Sequence, residues 1–85
     1  MSTIKSISTI NNYGKIEINL KEFMISKNIT RNQLARLTGT RFEVVNKWYN
    51  GTVERIDADI LARFCYCLDC TVDDILHFVK EKSQP

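Results

Sequence analysis

Between Thr30 and Gly51 the sequence carries two helix starts and two helix stops in close succession, and that punctuation limits the fold more than any other feature. Thr30 followed three positions later by Gln33 is a capping box. Leu34, Ala35 and Leu37 then supply an apolar face until Gly39 ends the run, which predicts a helix over 31–38. Thr40 with Glu43 repeats the cap, and the segment Arg41 to Asn50 is closed by Gly51, a residue suited to a left-handed stop. Helices this short are not stable alone and must pack on a common core.

The flanks extend the same grammar. Asn19 with Glu22 predicts a capped helix over 20–27, with Leu20, Phe23, Met24 and Lys27 at helical spacing. Asp57 caps a fourth helix whose stripe is Ile60, Leu61, Phe64, Cys65 and Leu68. Thr71 with Asp74 predicts a fifth, bearing Val72, Ile75, Leu76 and Val79. Residues 1–12 hold Ser, Thr, Asn and Ile without a helical stripe. Asn11-Asn12-Tyr13-Gly14 reads as a turn, and Lys15-Ile16-Glu17-Ile18 alternates as a short strand does. The expected architecture is mainly α: one five-helix domain over 15–80, a flexible or weakly extended arm over 1–14 that leads into the strand, and a frayed tail over 81–85.

Size and charge narrow the function. A chain of 85 residues buries only roughly 60% of its unfolded surface, which favours a binding module over an enzyme. No apolar run reaches the ~18 residues of a membrane span, and the first residues carry no signal-peptide stretch. Cys65, Cys67 and Cys70, odd in number and crowded together, do not read as a disulfide framework, so a reducing, cytoplasmic setting is expected. The net charge of +2 is unevenly spread: residues 1–56 carry nine basic and four acidic side chains, the remainder three basic and six acidic. The first part suits an anionic partner and the last part does not.

At ~100° per residue, Val44, Val45 and Trp48 fall on one side of the third helix. Phe42, Glu43, Asn46, Lys47 and Asn50 fall within an arc of about 140° on the other. A helix anchored inward that offers polar groups outward suits the DNA major groove, which makes the segment a helix-turn-helix candidate.

The pattern Thr30, Leu34-Ala35, Gly39, Val45, Trp48 and Gly51, followed by Leu61, Leu68 and Ile75-Leu76, resembles the Cro/C1-type (lambda-repressor-like) helix-turn-helix domains over roughly residues 16–80. The resemblance implies a regulator of transcription, a repressor that occupies an operator through helix three, and places the base-reading positions at Arg41, Phe42, Glu43, Asn46 and Lys47. Arg41 is suited to guanine, Asn46 to adenine, Glu43 to cytosine and Phe42 to a thymine methyl. Arg31, Thr40, Asn50 and Arg55 fall where phosphate contacts are expected. Three positions depart from the family: Arg41 stands where serine or threonine is common, Phe42 where glutamine or arginine is, and Tyr49 where glutamate is. Two of the assignments compete with local roles. Phe42 can fold back on the domain or meet a protein, and Glu43 can cap helix three instead of reading a base.

Members of this family bind as twofold dimers, so the expected partners are double-stranded DNA and a second copy of the chain, joined through helix five or the strand Lys15 to Ile18. No membrane and no small-molecule substrate is implied. The alternative is a protein-interaction module on the same fold, an antitoxin-like or antirepressor partner whose helix-three surface meets protein. Cys65, Cys67 and Cys70 with His77 have the composition of a zinc site. However, Cys65 and Cys67 would point about 200° apart on one helix, so neither metal nor cofactor is expected, and Cys67 has no assigned role. Trp48 lies on the inward face and reads as a core anchor. Asp73 and Asp74 sit at a helix start, where the dipole favours negative charge. No catalytic constellation is expected.

Overall fold

The computed structural model describes Ile4, Ser6 and residues 13–80. The expected arm over 1–14 falls mostly, and the tail over 81–85 wholly, outside the described residues. A strand β1 (Lys15–Ile18) leads into α1 (Leu20–Lys27), α2 (Arg31–Thr38), α3 (Phe42–Tyr49) and α4 (Ala58–Leu68). A single 3-10 turn over Val72–Asp74 and a strand β2 (Leu76–Val79) follow.

The strand and the first two helices have the predicted limits, because their signals are local. Thr30 caps α2 as a full box: its hydroxyl accepts from Gln33 N at 3.1 Å, while its own N–H donates to Gln33 Oε1 at 2.8 Å. Gly39 takes φ +69°, and Thr40 N–H closes back on Ala35 O at 3.1 Å, so the chain leaves α2 through a left-handed turn. Asp57 caps α4 by accepting from Asp59 N and Ile60 N at 2.9 and 3.1 Å.

The predicted fifth helix does not form, so four α-helices replace the expected five. Thr71 N–H donates to Asp74 Oδ2 at 3.0 Å, but only one 3-10 turn follows before the chain extends. The apolar residues Val72, Ile75, Leu76 and Val79 fit a helical stripe, yet Ile75 alone is fully buried. Leu76-His77-Phe78-Val79 pairs antiparallel with β1 in the register Lys15 to Val79, Ile16 to Phe78, Glu17 to His77 and Ile18 to Leu76. An unpaired β1 would leave a row of backbone donors and acceptors without partners on that side, and aromatic and β-branched residues suit the pairing. Gly14, at φ +113°, lets the chain enter β1 under the Phe78 ring: a Cβ there would lie 2.8 Å from that ring and 2.5 Å from Val79 O.

Two expected caps are also absent. The Asn19 side chain does not cap α1; Oδ1 instead contacts His77 Nδ1 across to β2, while Asn19 N–H donates to Ile75 O at 2.6 Å. Thr40 does not cap α3 with Glu43, because α3 begins at Phe42 with Arg41 as its uncapped N-cap and the Thr40 hydroxyl pairs with that of Thr38 at 2.8 Å.

The core gathers Leu20 and Met24 of α1, Leu34 of α2, Val45 and Trp48 of α3, Phe64 and Leu68 of α4, and Ile75. Trp48 meets Phe64 edge-on, with centroids 5.2 Å apart and planes at 87°. Leu37, expected on the apolar face of α2, is exposed. Thr38 is buried in its place, its hydroxyl satisfied by Leu34 O at 2.7 Å. Arg63 of α4 donates to Thr38 O at 3.0 Å, which ties α4 to the end of α2 at the turn. No helix among the described residues is long and apolar enough to cross a membrane.

Candidate nucleic-acid interface

Helix α3 is held from one side and free on the other. Val45 and Trp48 are buried and Val44 is half-buried, whereas Phe42, Glu43, Lys47 and Asn50 are exposed and Asn46 is half-buried. The helical period therefore sorts the face as expected. Arg41, just before the first turn of α3, is exposed at φ −71° and ψ 148°.

Four side chains from two helices meet on this face. Arg31, the first residue of α2, donates from Nη1 to Asn46 Oδ1 at 2.6 Å. Its guanidinium carbon lies 4.6 Å from the ring centre of Tyr49 and 5.7 Å from that of Phe42. Guanidinium groups favour aromatic faces because the ring quadrupole attracts the cation. Arg31 is thereby half-buried, and Phe42 is 40% exposed against the rim of the domain with Arg31 over its ring. Tyr49 also receives the Lys21 ammonium from α1, 5.8 Å from its centre.

The remaining positions lie around this cluster. The exposed Lys47 continues the outer face of α3, and its carbonyl accepts from Thr52 N–H at 3.0 Å, which turns the chain after Gly51. Arg55 is exposed on the loop to α4. With Lys47, Thr52 and Glu54 it borders an open cleft whose floor includes Trp48, Val53 and Ile60. Asn50 ends α3, exposed, with its N–H bonded to Asn46 O at 2.9 Å. Thr40 is half-buried, with its hydroxyl engaged by Thr38. Glu43 is exposed in the first turn of α3, where its charge suits the helix dipole.

The role of Tyr49 did not emerge from the sequence except as a departure from the family. The available signal was paired: an aromatic residue replaces a carboxylate at 49, and a new cation stands at 31. The zinc reading gains nothing, since no group of three candidate ligands occurs among the described residues. His77, expected on a fifth helix, is an exposed residue of β2.

Comparison with known proteins gives the same placement. The family profile described as a Cro/C1-type helix-turn-helix DNA-binding domain matches residues 19–81. A crystal structure of a Bacteroides fragilis protein assigned provisionally to DNA binding is 16% identical. The match covers 74% of this chain and all of that one, with a TM-score of 0.66. The transcriptional regulator VanUg is 18% identical over 91% of this chain and all of its own, with a TM-score of 0.65. At such identities these likenesses concern the fold. No curated protein sequence matches the chain.

Proposed function

The chain belongs to the Cro/C1-type helix-turn-helix DNA-binding domain family, and on that footing we propose that it is a sequence-specific regulator of transcription. It binds double-stranded DNA through α3 in the major groove and represses by occupying an operator, with no catalytic step. The carrying observation is the sorted face of α3, anchored by Val45 and Trp48 and open at Phe42, Glu43, Lys47 and Asn50, with exposed Arg41 at its start. Arg41, Phe42, Glu43, Asn46 and Lys47 face base edges. Arg31, Thr40, Asn50 and Arg55 contact phosphate and set the docking angle without specifying sequence. A cytoplasmic location agrees with three free thiols.

The active form is a homodimer. The loss of a fifth helix removes one of the two expected interfaces, and β1 supports the other. Its edge away from β2 is unpaired among the described residues. Antiparallel pairing of two β1 strands about Ile16 would set Lys15 of each against Glu17 of the other, the self-complementarity a twofold contact requires. The cross-strand pair Ile16 and Phe78 is exposed at 56% and 61%, leaving apolar surface beside that edge.

Selection of bound sequences from a random duplex library at two salt concentrations tests this reading. The expected result is a near-palindromic site with half-sites about one helical turn, ~34 Å, apart. Six phosphate contacts would give a log–log salt slope of about −5. Absence of retention at low salt would exclude DNA and direct attention to a protein partner for the Phe42 surface.

A further inference from the structure

The bond between Arg31 and Asn46 fixes what Asn46 offers to a base. A guanidinium has only donors, so the side of the Asn46 amide facing Arg31 must be its oxygen, and the Nη1 to Oδ1 distance is 2.6 Å. Nδ2, with its two N–H donors, is the other end of the amide. Arg31 is itself held, lying 4.6 Å from the Tyr49 ring centre and 5.7 Å from that of Phe42, so the oxygen is engaged by a group with little freedom to leave.

Asparagine reads adenine by accepting from N6 through Oδ1 while donating to N7 through Nδ2. With Oδ1 already in a charge-assisted bond, the stronger kind, an adenine amino group must compete with a cation for the same oxygen and approach its positive charge. Guanine presents two acceptors, O6 and N7, to the same groove and meets neither obstacle.

We propose that Arg31 and Asn46 act as one reading unit in which Arg31, a positioning residue, turns Asn46 into a donor that selects guanine over adenine. The proposal rests on the reading that α3 enters the major groove, and it replaces the adenine preference that Asn46 would have alone. Arg31 keeps Nε and Nη2 for phosphate, so one side chain links the docking of α2 to base choice by α3.

The test is library selection with the full chain and four variants. Asn46→Ala identifies the base pair that Asn46 reads, as the position whose preference disappears. At that position the unsubstituted chain should prefer guanine over adenine by roughly tenfold or more. Arg31→Met should abolish or reverse that preference while preferences elsewhere in the half-site persist, and Arg31→Lys, which restores a charged donor, should recover it in part. A role in stability alone would lower all binding without changing which base is chosen. Asn46→Asp retains a partner for Arg31 but has no N–H to donate, so it should lose the guanine preference even if Arg31→Met does not fold. An adenine preference in the unsubstituted chain overturns the proposal, as does guanine selection retained in Arg31→Met or Asn46→Asp. Enrichment of no sequence by the unsubstituted chain would instead refute the major-groove reading beneath it, and the proposal with it.

Discussion

The Arg31 guanidinium carbon of α2 lies 4.6 Å from the ring centre of Tyr49 in α3, so a cation and an aromatic face couple the two helices on their outer side. Such a contact at a half-exposed site contributes about 0.5–1 kcal/mol. A double-mutant cycle with Arg31→Ala and Tyr49→Leu, read by chemical denaturation, should return a coupling energy of that size. Coupling indistinguishable from zero would mean that Arg31 is free in solution.

Trp48 is 3% exposed and meets Phe64 edge-on. Trp48→Ala should cost about 3–5 kcal/mol of stability, since it empties a core position between α3 and α4. In a domain this small that is enough to leave much of the chain unfolded near 25 °C. A thermal melt close to that of the unsubstituted chain would contradict the placement of Trp48 in the core.

Much of this arrangement is legible in the sequence where the signal is local. The Thr30 and Gln33 box, the Gly39 turn and the Asp57 cap each need only a few neighbouring residues, and the elements they bound appear where expected. The end of the chain was misread because Val72, Ile75, Leu76 and Val79 satisfy a helical period, while the decisive partner, β1, lies far away in sequence. Asn19 and Thr40 were misassigned for a related reason: His77 and Thr38 occupy side chains that local rules give to caps. The outer face of α3 followed from periodicity. That Arg31 would engage Asn46, Phe42 and Tyr49 depended on how α2 and α3 cross, which no spacing within either helix specifies.

Arg41 and Arg55 are both exposed cations, but the account gives them different work. Arg55→Ala should weaken binding to all duplexes alike and reduce the salt slope by about one unit. Arg41→Ala should cost about 1–3 kcal/mol on the preferred site and relax specificity at one position. Titrations of each variant against the selected site and a scrambled duplex, at several salt concentrations, separate the two. Equal losses by Arg41→Ala on both duplexes would remove it from base reading.

Burial, followed by the neighbouring Cys65 thiol and the Asp74 and Asp69 carboxylates, pushes the Cys70 thiol up from its ordinary 9 to about 11. Because the folded state holds this proton more tightly than the unfolded chain, the stability tied to it is fully present below pH 9 and is lost as pH rises toward 11. Denaturant midpoints measured across that window should fall less steeply for Cys70→Ala than for the unsubstituted chain. Parallel declines would show that the thiol ionises alike in both states.

The most direct measurement of the central claim, that α3 lies in the major groove, is methylation interference on the selected duplex. A methyl at guanine N7 projects into the major groove and one at adenine N3 into the minor groove. The account predicts that guanine N7 methylation blocks binding in two clusters about 10 base pairs apart, and that adenine N3 methylation between them is tolerated. Interference confined to adenine N3, or binding indifferent to methylation at either atom, would contradict it.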